Sequence, residues 1–202
     1  DKKQIQLLPR QGKRGRVKLP KAGLVSFVQH RDILGELRKI TVSKEADGWY
    51  LSILTARKVE EPNAVIGNPV GADLGVAHAL TLSDGRHFRV PGFTAGEAER
   101  LRRLQRKLAR QVKGSKSRAR TKQAIALLHQ RLTRRRRDAL HKISFNLTNR
   151  HPLIIVEDLN IPNMTRSAKG AVEKPGRNVR QKSGLNRAIL NATWGELRRQ
   201  LE

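Results

Sequence analysis

The 202-residue sequence contains no cysteine. Disulfides and thiolate metal sites are therefore excluded within it. Aromatic residues make up only 3% of the chain, which excludes base stacking on broad aromatic platforms as the main mode of ligand recognition. No apolar run approaches the ~18 residues of a membrane span. Acids are scarce: Asp and Glu total 17 against 43 Lys and Arg, a formal net charge of +26. A surface of one sign repels itself unless it meets a polyanion. Nucleic acid fits that surface, because neutralising its phosphates releases counterions. An anionic membrane fits less well, since the sequence shows neither a strongly amphipathic apolar face nor a lipid anchor. Recognition is expected to run through backbone and shape, in the cytoplasm of a prokaryote or in a nucleus. Charge alone names a partner class and not an activity.

What is present divides by pattern. Residues 1–61 read as β-structure, with short strands at 16–19, 24–28, 36–44 and 49–54. Pro20 and Gly23 stop the first, and Asp47-Gly48 marks a turn between the last two. Such strands suggest a small antiparallel barrel or sheet. Trp49 and Tyr50 are expected in its core, as strand aromatics usually are. Residues 58–69 carry two prolines and no periodicity, which places a boundary near 62–68 and gives domains of 1–62 and 63–202. Residues 70–90 read as two or three antiparallel strands, with Ser83-Asp84-Gly85 as a hairpin turn.

Residues 95–150 read as two long helices, joined by a loop at 113–117. Leu101, Leu104, Leu108 and Val112 recur at helical spacing, as do Ile125, Leu128 and Leu132, then Leu140, Ile143 and Leu147. The polar faces are crowded with Arg102, Arg103, Arg106, Lys107, Arg110, Lys113, Lys116, Arg118, Arg120, Lys122, Arg134, Arg135, Arg136 and Arg137. Only Glu97, Glu99 and Asp138 oppose them, so ion pairs along the helices cannot balance the charge. These cations are the candidate nucleic-acid surface. Residues 153–156 are four consecutive aliphatics, the pattern of a central parallel strand buried on both faces. Residues 162–184 read as a flexible basic loop. Residues 185–202 read as one helix, with Leu185, Ile189, Trp194, Leu197 and Leu201 as its apolar stripe. Asp1 is not methionine and that helix stops without a capping residue, so sequence is expected on both sides.

Asp73 and Glu157 are the candidate catalytic residues. Each sits in an apolar, strand-like segment, where a carboxylate is costly unless paired or bound to metal. The helical crossover between them can set two parallel strands side by side and bring the acids together. Paired carboxylates of this kind hold divalent cations, Mg²⁺ or Mn²⁺, for phosphodiester hydrolysis. Taken singly, Asp73 reads as a turn residue and Glu157 or Asp158 as a strand-end cap.

The segment Gly71-Ala72-Asp73-Leu74-Gly75-Val76, followed by Thr81-Leu82-Ser83-Asp84-Gly85, resembles the first RuvC motif of the TnpB (OrfB) transposon-encoded nucleases and the related type V CRISPR effectors. Ile154-Ile155-Val156-Glu157-Asp158-Leu159-Asn160 resembles the second motif, and residues 131–144 and 194–202 resemble the helices beside it. Gly15-Arg16-Val17-Lys18-Leu19-Pro20-Lys21 is similar to the end of the family's wedge barrel. The resemblance implies an α/β fold: an RNase H-like (RuvC) mixed sheet with a long basic helical hairpin inserted, preceded by part of a small antiparallel oligonucleotide-binding barrel. It implies an RNA-guided DNA endonuclease using Mg²⁺ or Mn²⁺ at Asp73 and Glu157, with guide RNA and target DNA as partners. A third aspartate and a four-cysteine Zn²⁺ ribbon are expected beyond Glu202, so this stretch alone is expected to bind nucleic acid and cut poorly.

Other classes remain open at this point. One is a guided binder that silences its target without cutting. Another is an actin-like nucleotide-binding fold, which shares the Asp-x-Gly strand but is opposed by the charge. A structural RNA-binding protein is the third, and it leaves the acids in apolar strands unexplained. His78 and His141 are candidates near the site, and Trp194 is expected to be core.

Overall fold

The computed structural model describes residues 5–202, which fall into two compact units divided between Pro62 and Asn63. In the first, β1 (Gln6–Gln11), β2 (Arg14–Leu19) and β3 (Gly23–Val28) form an antiparallel meander. Val17 at its centre is fully buried. Gly15 beside it is closely covered: a Cβ there would lie 2.5 Å from both the Phe27 ring and the Gln29 side chain, so both would have to shift. β4 (Glu36–Lys44) and β5 (Trp49–Ala56) make a separate two-stranded hairpin, closed at Lys44↔Trp49 by the Asp47-Gly48 turn.

The expectation that Trp49 and Tyr50 are core is overturned. Trp49 is 69% exposed and Tyr50 40%. Both lie at the turn end of a two-stranded hairpin, which lacks a further layer there to cover them. Trp49 instead takes the Lys44 ammonium over its ring at 5.6 Å, and the Tyr50 hydroxyl donates to Asp47 at 2.9 Å.

The second unit is built on a four-stranded mixed sheet in the order β8-β7-β6-β9. Its strands are β6 (Val70–Asp73), β7 (Leu80–Leu82), β8 (His87–Phe88) and β9 (Ile154–Val156). The first three are antiparallel neighbours, and β9 runs parallel to β6. Between β8 and β9 the chain makes a helical hairpin, α1 (Ala95–Arg110) and α2 (Lys116–Thr148). Thr94 starts α1 with a capping box: its hydroxyl accepts from the Glu97 N–H at 3.3 Å, and Glu97 accepts from the Thr94 N–H at 3.0 Å. Ser115 caps α2 by accepting from the Arg118 N–H. At 33 residues, α2 is about 50 Å long by its rise per residue, so only its last third meets the sheet.

One face of the sheet is covered. Val70, Ala72, Leu80 and Leu82 pack against Leu140, Ile143 and Leu147 of α2, and against Ile189, Trp194 and Leu197 from the helices that follow. Period-two alternation leaves the other face open.

Four further expectations are corrected. β9 is an edge strand rather than a central one, and Ile155 is 60% exposed on the open face because no described strand lies beyond it. The region read as a loop contains α3 (Ile161–Met164) and the start of α4 (Val179–Ala192), whose cations hide a helical stretch from a compositional reading. The final helix breaks: α4 ends and α5 (Trp194–Leu201) begins at Thr193, which takes φ 57°. That left-handed conformation is costly for a β-branched residue and is fixed by the burial of Trp194 and Leu197 just after it. Val112 and Leu185 fall outside the apolar stripes, Val112 because α1 has already ended. No helix of the described residues is long and apolar enough to cross a membrane.

Candidate active site and nucleic-acid interface

The register of the sheet sets the site. Gly71 pairs with Ile155 and Ala72 with Val156, so one further step in this parallel ladder puts Asp73 beside Glu157 at the strand ends. Across the antiparallel side, Asp73 pairs with Thr81, and Thr81 with His87. Residues in register share a face, so Glu157, Asp73, Thr81 and His87 form one polar row across the sheet. Ala72 is buried on the covered face, which confirms that Asp73 points to the open one. That face forms an open groove of about 450 Å³, lined by Asp73, Glu157, Thr81, Ser83, Gly71 and Ile155 among others.

Asp73 and Glu157 are both exposed, where their apolar neighbours had suggested burial. Asp73 is the last residue of β6 and Glu157 directly follows β9, where the side chains clear the sheet. Neither side chain has a hydrogen bond or an ion pair among the described residues. This is unusual in a chain so rich in cations. In the same unit Asp84, Glu97, Glu99, Asp138, Asp158, Glu196 and Glu202 each hold an Arg or Lys. Glu173 is also unpaired, but it lies in the loop before α4. Asp73 and Glu157 are thus two neighbouring carboxylates, both without a cation. Hard oxygen donors of this kind suit Mg²⁺ or Mn²⁺, which accept one or two protein carboxylates alongside substrate phosphates. No group of three or more His, Cys, Asp or Glu able to hold a metal occurs among the described residues. The pair therefore fits as a partial ligand set.

Several contacts hold the acids in place. The Trp194 indole N–H donates to the Gly75 carbonyl at 3.2 Å, pinning the loop that follows Asp73 to the start of α5. Asp158 bonds the Arg198 guanidinium, which also holds Glu202 at 2.8 Å; the two carboxylates raise the pKa of Arg198. Glu157 is thereby left as the free acid of the Glu157-Asp158 pair. Arg86, on the β7–β8 turn, joins Asp84 at 2.7 Å and His151 Nε2 at 2.7 Å, and His151 Nδ1 faces the Asn68 carbonyl at 2.9 Å. This chain of contacts ties the turn to the segments entering β6 and β9.

Thr81, Ser83 and His87 were missed from the sequence. Their alternation was visible, but only strand pairing puts Thr81 and His87 in the row with the acids and Ser83 beside Gly71 on the same face. His87 lies 3.2 Å from the Thr81 hydroxyl and stacks on His78 at 4.5 Å between ring centroids. His141 is on α2, beside Lys142, Phe145 and Gln200 in a separate cleft.

The candidate cations divide into two groups. Arg118 donates to the Leu108 and Gln111 carbonyls and so closes the C-terminal end of α1. Arg135 pairs with Glu97 at 2.7 Å, across the hairpin. Arg136 donates to the Pro91 carbonyl and to Asn191, both at 3.0 Å. These three build the hairpin and dock it. Arg102, Arg103, Arg106, Lys107, Arg110, Lys113, Lys116, Arg120, Lys122, Arg134 and Arg137 are exposed. Of these, Arg102 holds Glu99, and Arg137 approaches Glu196 at 3.8 Å.

Residues 51–168, more than half of the chain, match the model of the OrfB_IS605 family, described as "Probable transposase". The chain belongs to this OrfB (TnpB) family. Over 186 residues it is 43% identical to the "Putative RNA-guided DNA endonuclease InsQ" of Escherichia coli strain K12, covering 92% of this chain and 46% of that protein. Over 164 residues it is 33% identical to a "Putative RNA-guided DNA endonuclease" of Streptomyces pristinaespiralis, covering 81% of this chain and 37% of that protein. A Mycobacterium tuberculosis protein of the same description is 28% identical over 176 residues. The chain spans less than half the length of these curated relatives.

Proposed function

We propose that this chain supplies two catalytic carboxylates and a nucleic-acid-binding surface to an RNA-guided DNA endonuclease. In this reading the second unit is an RNase H-like (RuvC) nuclease domain with the basic hairpin as its insertion. The first unit belongs to a wedge-type oligonucleotide-binding barrel. The observation that carries the reading is the pair Asp73 and Glu157, side by side on parallel strands and both without a cation. The names of the E. coli and Streptomyces relatives support it.

Asp73 and Glu157 would hold Mg²⁺ or Mn²⁺, which when bound activates water and stabilises the leaving oxygen of the phosphodiester. The chain's own residues do the rest. The open face admits a nucleic-acid strand along Thr81 and Ser83, and the covered face keeps the acids rigid. The exposed hairpin cations hold guide RNA and heteroduplex by their backbones, while base pairing reads the sequence.

The test is Mg²⁺-dependent cleavage of a matched DNA target by the protein with its guide RNA. Asp73→Ala and Glu157→Ala are expected to bind the target within about twofold of wild type and to lose cleavage by ~10³ or more, as when a principal transition-state stabiliser is removed. Cutting at the wild-type rate by either variant overturns the assignment. The second reading is a guided binder, against which stands the retention of both Asp73 and Glu157. It predicts tight target binding and no cutting by wild type in either metal. The 202-residue chain alone is expected to bind nucleic acid and to cut poorly.

A further inference from the structure

A second cavity, of about 240 Å³, lies between the β6–β7 loop, the segment after β8, α2 and α4. Its walls are small residues such as Ala77, Ala79, Gly92 and Ala188, together with two arginines, Arg89 and Arg136. No acid lines it. Arg136 is half-buried, and both of its contacts are neutral: Nε donates to the Pro91 carbonyl and Nη2 to the Asn191 side-chain oxygen. Its Nη1 has no partner among the described residues. Burial and the neighbouring Arg135 push the pKa of Arg136 down, which is the signature of a charge held without a counterion. Arg135 itself is neutralised by Glu97. Arg89 is exposed and has no ion pair or hydrogen bond among the described residues.

A half-desolvated cation with only neutral partners is costly unless an anion completes it. Arg89, Arg136 and Asn191, whose side-chain oxygen is already taken by Arg136, line one cavity of suitable size. Planar forks of N–H donors match the tetrahedral oxygens of phosphate. We propose that this cavity binds a single phosphate group, held by Arg89, Arg136 and Asn191. Neither Asp73 nor Glu157 enters the argument, so it stands apart from the metal assignment there. The group belongs either to a nucleic-acid backbone or to free phosphate.

The experiment is a titration at constant ionic strength, with inorganic phosphate exchanged against chloride, followed by the arginine Nε–H NMR resonances of the protein. Saturable shifts are expected at Arg89 and Arg136 and not at the exposed Arg103 and Arg106. Arg89→Ala, which removes no internal contact, is expected to weaken saturation at Arg136 at least fivefold. A 12-nucleotide RNA or DNA is then added. If it reproduces the Arg136 shift at lower concentration than phosphate, the backbone is the source. If only inorganic phosphate does so, the site takes the free ion. Shifts that are equal at all arginines, or linear in phosphate, overturn the proposal. So does unchanged saturation in Arg89→Ala.

Discussion

Neutralising Asp73 should stabilise the metal-free protein, which is the opposite of what removing a structural acid does. Adjacent strands lie about 4.8 Å apart, so carboxylates at neighbouring strand ends sit at roughly 5 Å. Two like charges at that distance repel by about 0.8 kcal/mol in bulk water and about 3 kcal/mol at an effective dielectric of 20. Both groups are exposed, which favours the lower end. Neither has a bonding partner to lose. Asp73→Asn should therefore raise stability by ~0.5–1 kcal/mol, or roughly 1–4 °C in Tm. Mg²⁺ should reverse the order. At ten times its Kd, a metal that binds only the folded wild type adds about 1.4 kcal/mol. The assay is thermal unfolding with and without Mg²⁺ at matched ionic strength. Glu173→Gln serves as a control for the added net charge, because Glu173 is exposed and unpaired. The reasoning is refuted if Asp73→Asn unfolds at a lower temperature than wild type without metal. It is equally refuted if Mg²⁺ stabilises variant and wild type alike.

Three other outcomes are expected. Trp194→Phe keeps most of the buried ring but leaves the Gly75 carbonyl without its donor; it should cost ~1–2 kcal/mol in chemical denaturation and weaken Mg²⁺ binding by loosening the loop after Asp73. Arg103→Ala and Arg106→Ala should each lower the slope of log affinity against log salt by about 0.9 with duplex DNA, whereas Arg118→Ala should mainly speed hydrogen exchange in the last turn of α1, whose carbonyls it caps. Glu196 is held down to about 2 by its hydrogen bonds to Arg199 and Gln200. A lowered folded-state pKa gives stability above the unfolded value and loses it as pH falls through the folded one. The Tm difference between wild type and Glu196→Gln should thus be full above about pH 5 and vanish near pH 2.

Much of the secondary structure is local information. The Gly114 break between two leucine ladders, the Asp47-Gly48 and Asp84-Gly85 turns and the prolines at 62 and 69 are each legible without knowing what lies across the fold. So are the charge, the two acids and the motifs that resemble the OrfB family. These features depend on backbone preference and periodicity over a few residues, and those are properties of the chain itself.

Tertiary structure decided what depends on partners distant in sequence. Asp73 meets Glu157 only because β9 joins β6 in parallel after a crossover of some 80 residues. The antiparallel pairing of β6 with β7 and β7 with β8 brought Thr81 and His87 into their row. Burial, too, belongs to neighbours. Ile155 is exposed because β9 is an edge, and Trp49 because its hairpin has no covering layer. The break at Thr193 carries no glycine or proline to announce it, since the burial of Trp194 and Leu197 imposes it. Arg118, Arg135 and Arg136 look identical to the exposed arginines beside them in sequence. What separates them is which carbonyl, carboxylate or amide the fold places within reach, and helical periodicity carries no record of that.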